Sequence, residues 1–510
     1  MPKTNGTQYD SKKSKNVHTK VCIIGSGPAG ITAAWHLLKN GVKDVTLIEG
    51  SRTLNLEDSR RDKKYLYDGK ADGLFDPNEK EFLLLPYPGG NNFCKERERI
   101  FGGTSAHWAG QCRPLDKITF EERAGFPGWP IKRTDLDPYY AKASAFLELY
   151  GNYYDSNQKN PGYNFTTDFW AQVLVGLGTT APKLDYFDTE MYQWPGGIYN
   201  FSKREFADGN EKKTIEQTDV NVILNATLVD IDHSGGRVTR LHVASLDDHK
   251  PNPQVATEFF IYADAYVLAC GAVANARQLL LSNAGNEHYQ VGHYFMCHPI
   301  PRWGYPVVTI EPASFLTAAE QAFMTGAAWS DQNGVTVAAR LSPKDEQQKD
   351  LKVGGCWFDG ASPGGIYYEM RPNYASCVTL NDTPDPVFPQ KKQTRITWVL
   401  SDTDQKTYEH LTQRYKEAIL ALKRGNTVSF ASWEDVKRKL MVNGHHIGTT
   451  RMSGQPQDGV VDKNLKVHTL DKLYVAGSSV FPTAGISNPT FTIVTLSIRL
   501  AEHLSGLLKG

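Results

Sequence analysis

No charge of one sign predominates in this chain: 56 Lys and Arg balance 56 Asp and Glu, so no net field would draw it to nucleic acid or to an anionic membrane. Cysteine is sparse. The seven residues, at 22, 94, 112, 270, 297, 356 and 377, are scattered without a Cys-x-x-Cys pair, which argues against a disulfide framework and against a zinc site. Separated thiols in odd number suit a reducing compartment. No apolar run approaches the length of roughly 18 residues that a bilayer-spanning helix needs, so no transmembrane segment is expected. The N-terminal stretch MPKTNGTQYDSKKSKNVHTK has neither the apolar core nor the twin arginine of an export signal; it reads as a disordered tail, and the protein as cytoplasmic.

What the chain does have begins at Val21. Val21 to Ile24 is an apolar run of strand length, GSGPAG supplies Gly25, Gly27 and Gly30, and Ile31 to Leu38 carries apolar residues at helical spacing. A second strand, Val45 to Ile48, ends in Glu49. This order is that of a dinucleotide-binding βαβ unit. Gly25 permits the tight turn, Gly27 lets backbone approach a pyrophosphate, and Gly30 allows close helix–sheet packing, while the helix N-terminus faces the phosphates. Glu49 follows Gly30 near the spacing of about 20 residues at which a carboxylate grips ribose hydroxyls and disfavours a 2′-phosphate. NADP is therefore disfavoured, while NAD and FAD stay open.

At 510 residues the chain is long enough for two or three domains. FGGTSAHWAGQCRP, from Phe101, sets a Gly-Gly turn beside small hydroxyl residues, a histidine and a tryptophan, a composition suited to backbone lying against a planar ring. A helix is expected from an N-cap at Thr134 to a stop at Gly151, with Leu136, Tyr140, Ala143 and Leu147 as its buried stripe. NVILNATLVDID and RVTRLHV flank HSGG as a hairpin, and the strand FFIYADAYVL runs through the ACGA turn, which holds Gly271, into a second helix. Residues 301–430 are rich in strands, and a helix from Asp404 to Arg424 ends at Gly425. The C-terminal part returns to the style of the first domain with NGHHIGTTRMSG and LYVAGSSVFPTAGISNPTFT. The nucleotide domain is therefore expected to be discontinuous, over 21–150, 207–300 and 435–510, with a substrate domain over 151–206 and 301–434 and the active site at their seam.

Taken together, GSGPAG, FGGTSAHWAG, YVLACGAVANARQLLLSNA, VGHYFMCHP, YEMRPNYASCVTLND, HHIGTTRMS and AGSSVFPTAGISNPTFT resemble, in order, the motifs of the glucose-methanol-choline (GMC) flavoenzymes. SAHW, WPIKRTDLDPYY and the SNPT close resemble most the branch of pyranose oxidases and bacterial sugar and glycoside dehydrogenases or oxidases. The resemblance implies an α/β fold: a discontinuous Rossmann-type FAD-binding domain (GMC/PHBH-like) with an α+β substrate domain on an antiparallel sheet. It also implies FAD as the cofactor. Gly25, Gly27, Gly30 and Glu49 would then hold the ADP half, with backbone near Leu228 at the adenine. Gly103, Thr104, Ser105, His107, Trp108 and Ala109 would lie along the isoalloxazine, and Gly271, Gly477, Ser478, Pro489 and Thr490 would close the site. His107 matches a histidine that is bonded to flavin in fungal pyranose oxidases, although Ala109 stands where those enzymes carry threonine; covalent attachment and simple packing both stay open.

In the family's HxxGT pattern the catalytic base falls on His445, and the second catalytic position falls on Asn488. The chemistry suits these types, because oxidising an alcohol removes a hydroxyl proton, which a neutral imidazole accepts, while an amide can hold the same oxygen in place. The expected reaction is oxidation of a CH–OH group of a sugar, glycoside or polyol, with oxygen, a quinone or another acceptor taking the electrons. A non-sugar alcohol is the alternative substrate. A flavin-bound lyase or binding protein is the alternative class, against which the His445 and Asn488 pairing argues. No metal is expected.

Overall fold

The computed structural model describes residues 16–51, 99–106, 108–149, 186–196, 200–247, 254–301, 305, 307–311, 329–330, 336–359, 365–385, 387–421, 427–437, 439–441 and 444–509. Seven strands form the main sheet: β1 (Val17–Ile24), β2 (Val45–Ile48), β3 (Asn221–Ile223), β4 (Thr227–Ser234), β5 (Arg237–Asp247), β6 (Gln254–Leu268) and β7 (Leu473–Val475). The order is β3-β2-β1-β6-β5-β4, with β7 also paired to β6. β3, β2, β1, β6 and β7 run parallel, and β4 and β5 are antiparallel additions. Strands covered on both faces need apolar residues at every position, which is why VCII in β1 and all four residues of β2 are buried.

β6 is shared along its length. Its first part, through Ile261, pairs antiparallel with β5, whereas Tyr266 to Leu268 pair parallel with β7, which lies far away in sequence. The C-terminal ends of β1, β2, β6 and β7 consequently lie side by side, and so do the loops that follow them. The pairing continues past the strand ends: Gly25 N–H donates to Ile48 O, Ala269 N–H to Ile24 O and Ala476 N–H to Leu268 O, at 2.9, 2.8 and 2.7 Å. In open parallel sheets this edge is where ligands bind.

Five longer helices accompany the strands: α1 (Pro28–Lys39), α2 (Arg133–Phe146), α3 (Ala272–Leu281), α4 (Asp402–Leu420) and α5 (Thr490–Leu508). Pro28 opens α1 at the position where its missing N–H costs nothing. α5 packs on α1 and α2, and the Tyr140 and Thr492 hydroxyls meet at 2.7 Å. By length and composition α5 could cross a bilayer, since Arg499 and Glu502 are its only Asp, Glu, Lys or Arg residues; its buried residues, from Phe491 to Ser505, pack into the interior instead. A second, five-stranded antiparallel sheet joins Phe187–Gln193, Trp329–Ser330, Thr336–Pro343, Cys356–Asp359 and Gly365–Tyr368. α4 lies by it, with Tyr415 against Phe358 and Phe187.

Local boundaries also differ from the sequence reading. Thr134 lies inside α2; the helix starts at Arg133 after Lys132, whose N–H donates to the Asp135 carboxylate at 2.8 Å. It ends at Phe146, and the expected stop at Gly151 lies outside the described residues. The predicted stripe of Leu136, Tyr140, Ala143 and Leu147 is fully buried. NVILNATLVDID is two strands rather than one: Asn225, at φ +53°, turns the chain, sending β3 to β2 and β4 to the hairpin with β5. α4 begins earlier than read, capped by Ser401 and Asp404, and ends at Leu420; Gly425 lies outside the described residues.

Candidate active site

A cavity of about 480 Å³ opens at the ends of β1, β2, β6 and β7. Its wall on this side is peptide backbone. Gly25 sits at φ +99°, with a Cβ there falling 2.7 Å from Ala269 O, and a Cβ on Gly30 would fall 1.9 Å from Gly25 O. These two glycines are fixed by packing. Gly27, Gly271 and Gly477 differ: each lines the cavity, and a Cβ on any of them would meet nothing within 4 Å. They leave an open cradle against bare backbone, at the N-terminus of α1 and just before α3, which is the shape and polarity that a dinucleotide pyrophosphate requires. The residues present therefore fit FAD.

Most of the other predicted cofactor residues line the same cavity: Glu49, Gly103, Thr104, Trp108, Ala109, Leu228, Ser478, Pro489 and Thr490. Glu49 is tied to the protein itself. Its carboxylate accepts from Ser26 N–H, Ser26 Oγ–H and Ser51 N–H at 3.1, 2.5 and 3.0 Å, which holds it in place at the cavity edge and uses most of its acceptor capacity. Ser105 does not line the cavity. It is buried, donates to Gly102 O at 2.5 Å and accepts from Phe201 N–H at 3.0 Å, so it shapes the Gly102–Gly103 turn. His107 lies outside the described residues.

Lining residues that sequence reasoning missed come from remote segments. Arg99, Arg277 and Gln278 line the wall with Asp385, Val387, Phe388 and Lys391. Arg277 pairs with Asp385 at 2.6 Å and Lys391 with Asp230 at 2.5 Å, which fastens Asp385 and Lys391 to α3 and β4 beside Leu228. No spacing in sequence announces this, since α3 and Asp385 are far apart along the chain.

At the other end the cavity is lined by side chains. His445 Nε2 stands 3.2 Å from Asn488 Nδ2, and His445 Nδ1 stands 2.8 Å from His298 Nδ1. His298, buried, donates through Nε2 to Gly485 O at 2.8 Å. Asn488 Oδ1 is buried with no hydrogen-bond partner among the described residues. Burial pushes the His445 pKa well below the ordinary histidine value, and His298 and His446 lower it further; burial also lowers His298. Both rings are thereby held neutral. The adjacent histidine diverges: His446 turns its ring toward Phe295, and its carbonyl accepts from Ser478 Oγ at 2.6 Å.

The loop carrying Asn488 is anchored at consecutive residues. Glu369 Oε1 accepts from Gly485 N–H at 2.9 Å, Trp357 Nε1 donates to Ile486 O at 2.9 Å, and Arg113 Nη1 donates to Ser487 Oγ at 2.8 Å. Arg113 is itself buried between Asp116 and Glu190. A neutral imidazole and an amide, fixed together beside an open cavity, can accept a hydroxyl proton and hold the oxygen that releases it.

Residues 372–497 match the GMC oxidoreductase family, and residues 23–83 match the NAD(P)-binding Rossmann-like domain. The chain is 22% identical to 2-methyl-1,2-propanediol dehydrogenase of Mycolicibacterium austroafricanum over 96% of this chain and 95% of that protein. It is 43% identical to C-glycoside 3-oxidase of Arthrobacter globiformis over 70 residues, 12% of this chain and 13% of that one. A formate oxidase of Aspergillus oryzae, studied for modification of its FAD, shares the fold at a TM-score of 0.60 and 16% identity, over 98% of this chain and all of its own.

Proposed function

Because the chain is an FAD-dependent oxidoreductase with a GMC-type C-terminal domain, acting on CH–OH groups, we propose that its substrate is a sugar, glycoside or polyol and that His445 and Asn488 carry the proton chemistry of its oxidation to a carbonyl. The observation that carries this reading is the placement of His445 and Asn488 together at the side-chain-lined end of the cavity. FAD, when bound, supplies the two-electron oxidant that takes hydride from the carbinol carbon. Gly27, Gly271 and Gly477 would hold its phosphates against backbone, with Glu49 at the ribose. At the substrate, His445 accepts the hydroxyl proton on Nε2. Asn488 turns from His445 to the substrate oxygen, its amide N–H donating there, and so fixes the C–H direction. The low pKa of His445 keeps it unprotonated and ready in the free enzyme.

A second reading, oxidation of a small non-sugar alcohol, is favoured by the full-length similarity to a propanediol dehydrogenase. Anaerobic mixing of the yellow holoenzyme with a panel of free sugars, glycosides, polyols and simple diols decides between them. Rapid bleaching by sugars or glycosides, with slow or no bleaching by diols, is expected; the reverse ranking selects the second reading. Readmitting air then shows whether oxygen is an electron acceptor or whether a quinone or another acceptor is required.

A further inference from the structure

Two nitrogen–nitrogen contacts and one nitrogen–carbonyl contact at this end of the cavity determine more than the position of His445. We propose that His298 is a positioning residue that fixes the tautomer of His445, so that the lone pair of His445 Nε2, rather than a proton, faces the substrate. This rests on the reading of His445 as the base and deepens it.

The protonation pattern is set from the backbone inward. Gly485 O can only accept, so His298 Nε2, 2.8 Å away, carries a hydrogen. A neutral His298 then has a bare Nδ1, which can only accept. His445 Nδ1, 2.8 Å from it, must therefore be the protonated nitrogen and donate. A neutral imidazole has one N–H, so His445 Nε2 is bare; it accepts from Asn488 Nδ2–H at 3.2 Å until a substrate hydroxyl takes that place. When the proton moves, the substrate O–H bond breaks, an N–H bond forms at His445 Nε2, and the new imidazolium charge strengthens the existing Nδ1–H···Nδ1 bond to His298.

The reference carbonyl is itself held still. Gly485 has φ +59°, and a Cβ there would fall 2.6 Å from Leu115 Cδ2, so any other residue would be strained and would have to displace Leu115. Its N–H is gripped by Glu369, whose other oxygen accepts from Gly355 N–H at 3.1 Å and pairs with Arg123. Without His298, His445 Nδ1–H loses its acceptor and only the longer contact to the Asn488 amide still favours a bare Nε2, while the Nε2–H form cannot accept a proton from the substrate.

The test uses holoenzyme labelled with ¹⁵N-histidine, with His445 assigned by the signal lost in His445→Ala. Wild type should show His445 protonated on Nδ1 and bare on Nε2. In His298→Ala the two forms should mix, anaerobic flavin reduction should slow by about 10–100-fold with FAD still bound, and KM should change little. His298→Asn, whose amide oxygen can replace Nδ1 as acceptor, should recover part of the rate. Trp357→Phe loosens the same loop without touching His445 and should leave its tautomer unchanged. A wild-type His445 protonated on Nε2 overturns the inference by itself, even if His298→Ala does not fold. So does His298→Ala that reduces flavin at the wild-type rate. If His445→Ala also reduces flavin at the wild-type rate, the assignment of the base fails, and the inference with it; a slow His445→Ala beside an unaffected His298→Ala overturns the inference alone.

Discussion

At the Gly25–Gly30 end of the cavity the wall is backbone, kept bare by glycines and aligned by parallel strands; at the other end it is the side chains of Asn488 and His445, with His298 linked behind them. The first construction tolerates no added atom at Gly30, yet leaves space over Gly27, Gly271 and Gly477. The second depends on which hydrogen sits on which nitrogen. The backbone end therefore governs whether a cofactor is held at all, and the side-chain end governs how fast chemistry proceeds once it is held. Damage at each end should separate along that line.

The largest effect is expected at the side-chain end. His445→Ala should slow anaerobic flavin reduction by about 10²–10⁴-fold while FAD stays bound, as stopped-flow traces and flavin content will show. His446→Ala should stay near the wild-type rate; the opposite pattern would move the base to His446. At the backbone end, Gly30→Ala places a Cβ 1.9 Å from Gly25 O, an overpacking that should cost about 3 kcal/mol and release flavin. Urea midpoints and the flavin-to-protein ratio measure both; a fully flavinylated Gly30→Ala with unchanged midpoint would erase the distinction drawn between the two ends. Asn488→Ala should cost about 10–100-fold in flavin reduction, through lost orientation, without moving the pH profile.

The smallest and most graded effect is with pH. His36, His298 and His445 have folded-state pKa values below that of an unfolded histidine, His36 at about 4, because burial penalises the charged ring. Below about pH 6.5 the unfolded chain binds protons that the folded chain does not, so stability should decline as pH falls through that value toward the folded pKa values. Flavin reduction should hold over the same interval, since His445 remains neutral. Melting temperature and reduction rate, measured on the same samples from neutral to acid pH, should thus part company. Parallel decline would mean that the base titrates near the ordinary histidine value.

Much of the fold was legible because its signals are local. GSGPAG between two apolar runs, with Glu49 after the second, can hardly be read as anything but a tight strand-to-helix turn, and β2 has the bounds that the pattern assigns. Boundary errors came where a local cue had a competitor. Thr134 is a good cap in isolation, but Lys132 and Asp135 cap the helix two positions earlier; Asn225 breaks a run whose apolar pattern alone reads as continuous. His445 and Asn488 were legible through resemblance to a family, and the fold brings them to 3.2 Å.

The sequence by itself determined the nucleotide-type turn, the neutral overall charge and the residue types needed to move a proton, because each depends on neighbours a few positions apart or on composition alone. Tertiary structure alone decided that Tyr266 to Leu268 receive β7, that Asp385, Val387, Phe388 and Lys391 line the same cavity as Leu228, and that His298 stands behind His445 with Gly485 O at its far nitrogen. These are relations among residues remote from one another along the chain. A histidine's tautomer in particular has no local signature, since it is set by whichever acceptor the folded chain carries to its other nitrogen.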